Sequence, residues 1–250
     1  MRSTFRCLLI AAAVLARDAE ARENLAARID AGWKVQQRWH DVAENGGFEY
    51  EFDLKMWNSS NRLKGSEHRL VRVTHARGDG GSLIVSSQKD GKDDTIQARR
   101  DQARREEKER KEKKAEKKDE FPSPFDPKFR DRYEFRLEAR KDDLDVVSFS
   151  PREALEGAVM GKVGFDAEDR PRKVSFGLAH PPIFAKNVSV AISLDTEGNP
   201  VRTDSSGNIS ILIWKRRFES TIFVRNVRPP ASQAGSPPAE SAGGEKARND

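Results

Sequence analysis

Alternating apolar and polar residues dominate the second half of the chain. Successive side chains of a β-strand point to opposite faces, so this alternation predicts strands that are buried on one face. Three stretches show it most clearly, and their apolar members are Tyr133, Phe135, Leu137 and Ala139, then Val174, Phe176 and Leu178, then Val188, Val190, Ile192 and Leu194. Residues 159–165 and 209–214 are more uniformly apolar and predict strands that are covered on both faces.

Turn-forming residues separate these stretches at 166–171, 195–200 and 205–208. Links this short favour antiparallel neighbours, because parallel strands need a long crossover connection. Two of the links are acidic, and we expect hairpin turns there because each has too few oxygen ligands for a calcium loop. Two interpretations of the strand series remain. It is either a meander that covers a solid core or a strongly curved sheet that holds a ligand.

The first half of the chain predicts one helix and a second β block. Leu25, Ile29 and Trp33 recur at helical spacing, so residues 22–45 predict an amphipathic helix that Gly46 and Gly47 end. Residues 47–88 return to strand alternation, which is clearest between residues 48 and 56. We therefore expect an α+β, mainly β fold, in which a curved antiparallel sheet or incomplete β-barrel is wrapped on the N-terminal helix.

Residues 94–119 predict a long charged helical insertion. They are rich in helix-forming Ala, Arg, Lys, Glu and Gln but show no apolar stripe. Residues 99–118 contain eleven basic and six acidic residues, which accounts for the whole net charge of +5. The simplest interpretation is a solvated helix. The alternative is a surface that docks on anionic lipid through Arg104, Arg105, Lys108 and Lys111. We expect no nucleic-acid partner, because acids interrupt the basic run and no aromatic residue lies within it.

The two ends of the chain predict segments outside the folded domain. Arg2 and Arg6 precede a short apolar run, and Ala19 and Ala21 supply a small-residue cleavage pattern, so residues 1–21 predict a signal peptide cleaved after Ala21. The alternative is an uncleaved start of the following helix. Residues 22–227 then form a single domain, and residues 228–250, rich in Pro, Ala, Ser and Gly, predict a disordered tail. We expect an exported, periplasmic protein.

No residue constellation points to catalysis or to a bound cofactor. The chain has neither a nucleophile elbow nor a phosphate-cradling loop. Cys7 is the single cysteine and lies in the predicted signal peptide, and the four histidines are scattered. We therefore expect no enzyme, no metal and no cofactor, and a hydrolase is the least favoured class.

The order of these segments resembles the outer-membrane lipoprotein-sorting, or LolA-like, superfamily of bacterial envelope proteins. The resemblance is carried by residues 132–137 (RYEFRL), 146–151 (VVSFSP), 161–166 (GKVGFD) and the paired stretches from 187 to 217. It implies an incomplete β-barrel around a helix, with an apolar concave face for acyl chains, and no catalysis. The charged insertion is not a feature of the lipoprotein carrier itself.

Two functions follow as expectations. In the first, the protein binds a lipid or acylated ligand, such as an acylated protein, in an apolar groove. The candidate lining residues come from the alternating sets and are Phe135, Leu137, Phe176, Val190 and Ile192. In the second, the β domain has a solid core and the protein is an envelope scaffold, whose charged helix docks a partner or an anionic membrane surface.

Overall fold

A computed structural model describes residues 2–74, 81–112, 122–211 and 214–230, with side chains at 24–74, 81–108, 122–210 and 215–230. This part of the chain forms two helices and eleven strands. They are α1 (Arg2–Asn45), β1 (Gly47–Asn58), β2 (Leu63–Thr74), β3 (Gly81–Lys89), β4 (Lys92–Asp93), α2 (Thr95–Glu112), β5 (Tyr133–Leu137), β6 (Asp145–Pro151), β7 (Val159–Phe165), β8 (Pro171–Leu178), β9 (Ala185–Leu194), β10 (Pro200–Ile211) and β11 (Trp214–Arg228).

All eleven strands belong to one antiparallel sheet, in the order β4-β3-β2-β1-β11-β10-β9-β8-β7-β6-β5. The first and last strands of the chain are neighbours at the centre of the sheet, where Phe52 lies opposite Ile222. Within the described residues, β4 and β5 are the two edges and do not pair with each other, so the sheet is open and no closed barrel forms. The predicted mainly β, antiparallel architecture with an N-terminal helix is confirmed.

The prediction for residues 205–214 is wrong in its boundaries. Residues 205–208 were predicted as a turn and 209–214 as a strand, but β10 continues to Ile211 and the hairpin to β11 follows, with Ile211 opposite Trp214. Small polar residues fit the strand because their neighbours match them. The Ser205 and Ser220 hydroxyls are 2.6 Å apart, and a Cβ on Gly207 would lie 2.8 Å from the Phe218 ring.

Helix α1 begins at Arg2, so it includes the predicted signal segment as well as the predicted helix 22–45. A continuous helix does not test whether residues 1–21 are cleaved, so the signal peptide stays a prediction. From Asn24 on, the helix lies against the sheet with the apolar face that the sequence predicts. Ile29 and Val42 are buried, and Leu25 and Trp33 pack against the larger core cluster. That cluster is centred on Tyr133, Val147, Phe149, Val163 and Phe165.

Charged contacts join α1 to the loops at one end of the sheet. The guanidinium of Arg28, a residue only 9% exposed, donates to Asp145 at 2.6 Å and to Asp169 at 2.7 Å. Arg38 donates to the Glu197 carboxylate and carbonyl oxygen at 2.9 and 2.7 Å. Because these acceptors lie at three separate places, the start of β6 and the turns at residues 169 and 197, the contacts fix both the height and the direction of the helix above the sheet.

The two acidic links form hairpin turns, as predicted. The Asp166 carboxylate accepts the backbone N–H groups of Glu168 and Arg170, and Asp195 accepts those of Glu197 and Asn199. In each turn the aspartate therefore satisfies the backbone donors of the tight connection, which is a common role for this residue.

Helix α2 packs on β2 and β3, near the β4 edge of the sheet. Ala98 is buried against Val71, Val73 and Ile84. The Arg99 side chain donates to the carbonyl oxygens of Ile84 and Val85 at 2.7 and 3.1 Å. The first half of α2 is thus part of the folded domain. The remainder of the predicted insertion, residues 113–119, lies outside the described residues, as does most of the predicted tail, from residue 231 onward.

Two glycines with left-handed backbones give a test of the contact between α1 and the sheet. Gly91 (φ +77°) and Gly198 (φ +84°) both lie in hairpin turns, but a Cβ on Gly198 would lie 2.7 Å from Val35 Cγ2 of α1, whereas nothing lies within 4 Å at Gly91. We expect Gly91→Ala to cost about 1–2 kcal/mol of unfolding free energy for the backbone alone. Gly198→Ala is expected to cost about 1–3 kcal/mol more for overpacking.

Denaturant unfolding of the two variants and the parent protein measures this difference. Equal losses in Gly91→Ala and Gly198→Ala would contradict the close packing of α1 on the turn at residue 198.

Candidate apolar ligand site

An apolar cavity of about 410 Å³ lies between α1 and the face of the sheet that α1 covers. Its roof is formed by α1 and its side by the proline-containing segment that leads to β5. Its floor is formed by β6 to β11. The lining residues on α1 are Gly32, Val35, Gln36 and Trp39, and those on the connecting segment are Ser123, Pro124 and Phe125.

The strand register explains the floor of the cavity. Residues that lie directly opposite one another on neighbouring antiparallel strands point to the same face. One such row crosses five strands, from Val163 through Val174, Ile192 and Thr203 to Ile222. All five side chains line the cavity. The floor is therefore a continuous stripe of four β-branched hydrocarbon side chains and one hydroxyl.

Aromatic contacts set the walls. The Phe125 ring is edge-on to Phe149 with centroids 5.6 Å apart, and the ring of Trp39 lies 5.0 Å from that of Phe48. The connecting segment is held to the sheet by Tyr133, whose hydroxyl donates to the Pro122 carbonyl oxygen at 2.7 Å. Burial raises the pKa of Tyr133, so the hydroxyl stays protonated and remains a donor at neutral pH.

Polar groups are few in this lining and are mostly paired with each other. The Ser123 hydroxyl donates to the Gln36 side-chain oxygen at 2.7 Å. None of the described residues that line the cavity has an ionisable side chain. Since an unpaired charge is costly to bury, such a space favours an apolar ligand over a charged one.

The structure brings two of the five predicted groove residues to the cavity. Phe176 and Ile192 line it. Phe135 packs in the core, with its ring 6.1 Å from that of Phe125. Val190 lies directly opposite Phe176 and Ser205, outside the cavity lining, and Leu137 is 48% exposed on the edge strand β5.

Several lining residues were not predicted from the sequence. Val35 and Trp39 lie one helical turn apart on α1, and this spacing was a usable signal. Phe125 lies between Pro124 and Pro127, in a segment where the sequence predicted no site residue. Its position against α1 depends on Gly32, where a Cβ would lie 2.8 Å from the Phe125 ring.

The predicted docking residues lie on α2, away from the cavity lining. Arg104 has a 77% exposed side chain and lies 3.9 Å from Asp101, and Arg105 and Lys108 are also exposed. Lys111 is within the helix, but its side chain lies outside the described residues. Basic and acidic residues are thus mixed along this helix, as its sequence predicts.

The opposite face of the central strands carries ion pairs. Glu49 accepts from Arg72 at 2.6 Å, Glu51 from Arg225 at 2.8 Å, and Asp53 lies 2.8 Å from His68. The hydrogen bonds from Arg72 and Asn226 lower the pKa of Glu49, and that from Arg202 lowers the pKa of Asp204. The lowered pKa values keep Glu49 and Asp204 ionised at neutral pH. The ion-paired residues form a polar outer face, as the alternation in β1 predicts.

No protein-family model and no curated protein matches the sequence. Solved structures do match it. One is described as an outer membrane lipoprotein-sorting protein domain from Vibrio parahaemolyticus, with 11% identity over 84% of this chain and 94% of that chain and a TM-score of 0.36. Another is a DUF1329 family protein from Desulfovibrio piger, with 11% identity over 85% and 95% and a TM-score of 0.31.

A third match is the MucA/MucB complex of Pseudomonas aeruginosa, with 9% identity over 81% of this chain and 99% of that chain and a TM-score of 0.23. The matches thus include a protein of the kind that the sequence resemblance named. At TM-scores this low they decide nothing about function, which has to be inferred from the cavity itself. Among the described residues, no helix has the length and apolar character needed to cross a membrane.

Phe125 and Phe184 offer a test of the cavity wall. Phe125 is 9% exposed and packs on Phe149, whereas Phe184 is 55% exposed on the β8–β9 loop. We expect Phe125→Ala to lower the free energy of unfolding by about 3 kcal/mol, because a buried aromatic contact is lost. Phe184→Ala is expected to stay within about 0.5 kcal/mol of the parent protein.

Chemical denaturation monitored by circular dichroism provides both values. If Phe125→Ala were as mild as Phe184→Ala, the connecting segment would not form a wall of the cavity.

Proposed function

We propose that this protein is an exported, non-enzymatic binding protein of the bacterial periplasm, which holds a lipid or acylated ligand in the cavity under α1. The observation that carries the proposal is the cavity itself, which is apolar, has no ionisable group in its lining, and is covered by a helix that charged contacts hold in place. The LolA-like resemblance implies an incomplete barrel around a helix, and in this proposal the open sheet corresponds to that barrel and α1 to that helix.

The size of the cavity suits part of an acyl chain. Its volume of about 410 Å³ lies in the range of about 300–1,000 Å³ that small-molecule sites occupy. Each buried CH₂ group contributes about 0.8 kcal/mol, so eight to ten of them supply roughly 6–8 kcal/mol before the costs of association are subtracted. An alkyl chain can therefore bind with useful affinity without any charged contact.

The lining also disfavours other ligand classes. A sugar, nucleotide or free amino acid would bring several hydrogen-bonding groups into a space whose Gln36 and Ser123 already bond to each other. Leaving polar groups of the ligand unpaired would cost about 1–3 kcal/mol for each group. The ligand portion that enters the cavity is accordingly a hydrocarbon, and any headgroup or attached protein stays outside.

The compartment is inferred from the sequence. Arg2 and Arg6 precede a short apolar run, and small residues follow at positions 19 and 21. Removal of residues 1–21 would leave α1 to begin near residue 22. The part that covers the cavity, from Gly32 to Trp39, would remain.

The second candidate function is an envelope scaffold or interaction module. The observation that favours it is the exposed, highly charged outer side of α2, which includes Arg104 and Arg105. Deleting α2 does not test this role, because Ala98 and Arg99 belong to the packing and hydrogen bonding of β3. Point substitutions of exposed residues are required instead.

Neighbouring residues on β9 give a matched test of ligand binding. Ile192 lines the cavity, whereas Ser193 points to the opposite face between Lys173 and Arg202. We expect Ile192→Asp to weaken binding of a fluorescent fatty acid by more than about a hundredfold, because a carboxylate would be buried without a partner. Ser193→Asp adds the same charge beside two cations and is expected to bind as the parent protein does.

A third variant separates loss of binding from loss of fold. Ile192→Trp fills the cavity without adding charge, so it should also exclude long acyl chains. We expect the circular dichroism spectrum of this variant to match that of the parent protein. Unchanged fatty-acid affinity in folded Ile192→Asp and Ile192→Trp proteins would contradict the assignment of the cavity as the ligand site.

A further inference from the structure

Three strand connections meet at the end of the sheet away from the Arg28 and Arg38 contacts. They are residues 58–64 between β1 and β2, 179–187 between β8 and β9, and the paired ends of β10 and β11 at 208–211 and 214–217. Asn58 lies opposite Arg216, and Asn208 lies opposite Lys186. The Ser210 N–H also donates to the Phe184 carbonyl oxygen at 2.7 Å. These neighbouring connections are referred to as the hairpin end.

Large apolar side chains are exposed at the hairpin end. Ile183 is 93% exposed, Phe184 55%, Leu63 54% and Ile209 38%. Ile183 and Phe184 follow Pro181 and Pro182, which restrict the backbone of the loop. A single exposed apolar residue is ordinary, but four on adjacent connections at one end of a sheet form a patch that favours contact with an apolar phase or a partner.

The charge of the hairpin end is of one sign. The sequences of its three connections contain no acidic residue and six basic ones, which are Arg62, Lys64, Lys186, Lys215, Arg216 and Arg217. For comparison, α2 has seven basic and five acidic residues, a net charge of only +2. The three connections thus carry more net positive charge than the charged helix α2 does.

These cations surround a polar groove of about 470 Å³. Four basic residues line it, together with the amide side chains of Asn58, Asn61, Asn187 and Asn208. Arg217 also lies over the Trp57 ring, with its guanidinium carbon 4.9 Å from the ring centroid, and is paired with Glu219. Guanidinium, ammonium and amide groups are the donors that bind phosphate oxygens.

We infer that the hairpin end docks on an anionic phospholipid surface. The exposed apolar residues at Ile183, Phe184 and Leu63 enter the boundary between headgroups and acyl chains, and the surrounding cations contact the phosphates. Exposed apolar residues beside a surplus of cations, one of which, Arg217, is paired with a nearby acid, Glu219, favour an anionic bilayer over an acidic protein. A protein partner would gain less from these apolar residues unless it offered a complementary pocket. This surface is separate from the cavity, so the inference stands or falls independently of the proposed ligand.

Vesicle binding of matched variants of the full chain tests the inference. Cosedimentation is compared between vesicles of phosphatidylglycerol with phosphatidylcholine and vesicles of phosphatidylcholine alone. We expect the parent protein to prefer the anionic vesicles and to lose this preference as salt is raised. The double variant Lys186→Gln/Lys215→Gln should bind the anionic vesicles at least about tenfold more weakly.

Each substitution has a control on α2. Arg104→Gln/Arg105→Gln removes the same charge, and Ile96→Ser replaces another exposed isoleucine, 68% exposed, as the counterpart of Ile183→Ser. Both α2 controls are expected to bind as the parent protein does, whereas Ile183→Ser should weaken binding by roughly tenfold through lost apolar burial. All of these residues are exposed, so folding is not at stake.

Four results would overturn the inference. The first is equal binding to both kinds of vesicle, and the second is a loss of binding in the α2 controls with none in the hairpin-end variants. The third is binding to polyglutamate without binding to vesicles, which would assign the surface to an acidic protein. Inhibition of vesicle binding by inorganic phosphate at low ionic strength, with Ile183→Ser behaving as the parent, would identify a site for free phosphate and would equally contradict membrane docking.

Discussion

An open sheet with eleven strands has one apolar face that must be covered, and the rest of this structure depends on how that face is covered. Burial of apolar area is the main driving force for folding, so an uncovered sheet face of this size would not be stable in water. Helix α2 covers the side near β3 through Ala98, and α1 covers the side near β6 and β7 through Ile29. The cavity is the part of the apolar face that α1 spans without filling.

The charged contacts of α1 explain why the space under the helix persists. Apolar packing alone would favour a closer approach of the helix to the sheet. Arg28 reaches Asp145 at the start of β6 and Asp169 in the β7–β8 turn, and Arg38 reaches the turn at Glu197. Phe125 then stands between helix and sheet as a spacer, against Gly32 on one side and Phe149 on the other. Helix position and cavity shape therefore have the same cause, and a ligand would complete the core.

Much of the sheet could be predicted from residue alternation, because every second side chain of a strand points to the buried face and is apolar. The strands β1, β8 and β9 follow the predicted pattern, and so does the apolar face of α1. The pattern failed at β10, where serine and glycine were interpreted as a turn. Their place in the strand depends on Ser220 and Phe218 of the next strand, which alternation within one strand cannot reveal.

The candidate site was predictable only in part. Val190 and Ile192 have the same parity on β9, yet only Ile192 lines the cavity, because the helix covers one part of the strand and not the other. Phe125 and Trp39 come from segments that are far apart in sequence. They line the same cavity only in the folded sheet, where β5, to which the Phe125 segment leads, is an edge strand. The hairpin end was also missed, since its six cations come from three connections that are far apart in sequence.

Native mass spectrometry of the protein, purified gently from an envelope extract, tests the central claim most directly. The account predicts a bound mass that solvent extraction identifies as a lipid or an acylated peptide, or uptake of one equivalent of added lipid by a protein that is purified empty. A clean mass of the unliganded protein, with no uptake of added lipid, would contradict it. That result would mean that the space under α1 is a packing defect of the core and not a ligand site.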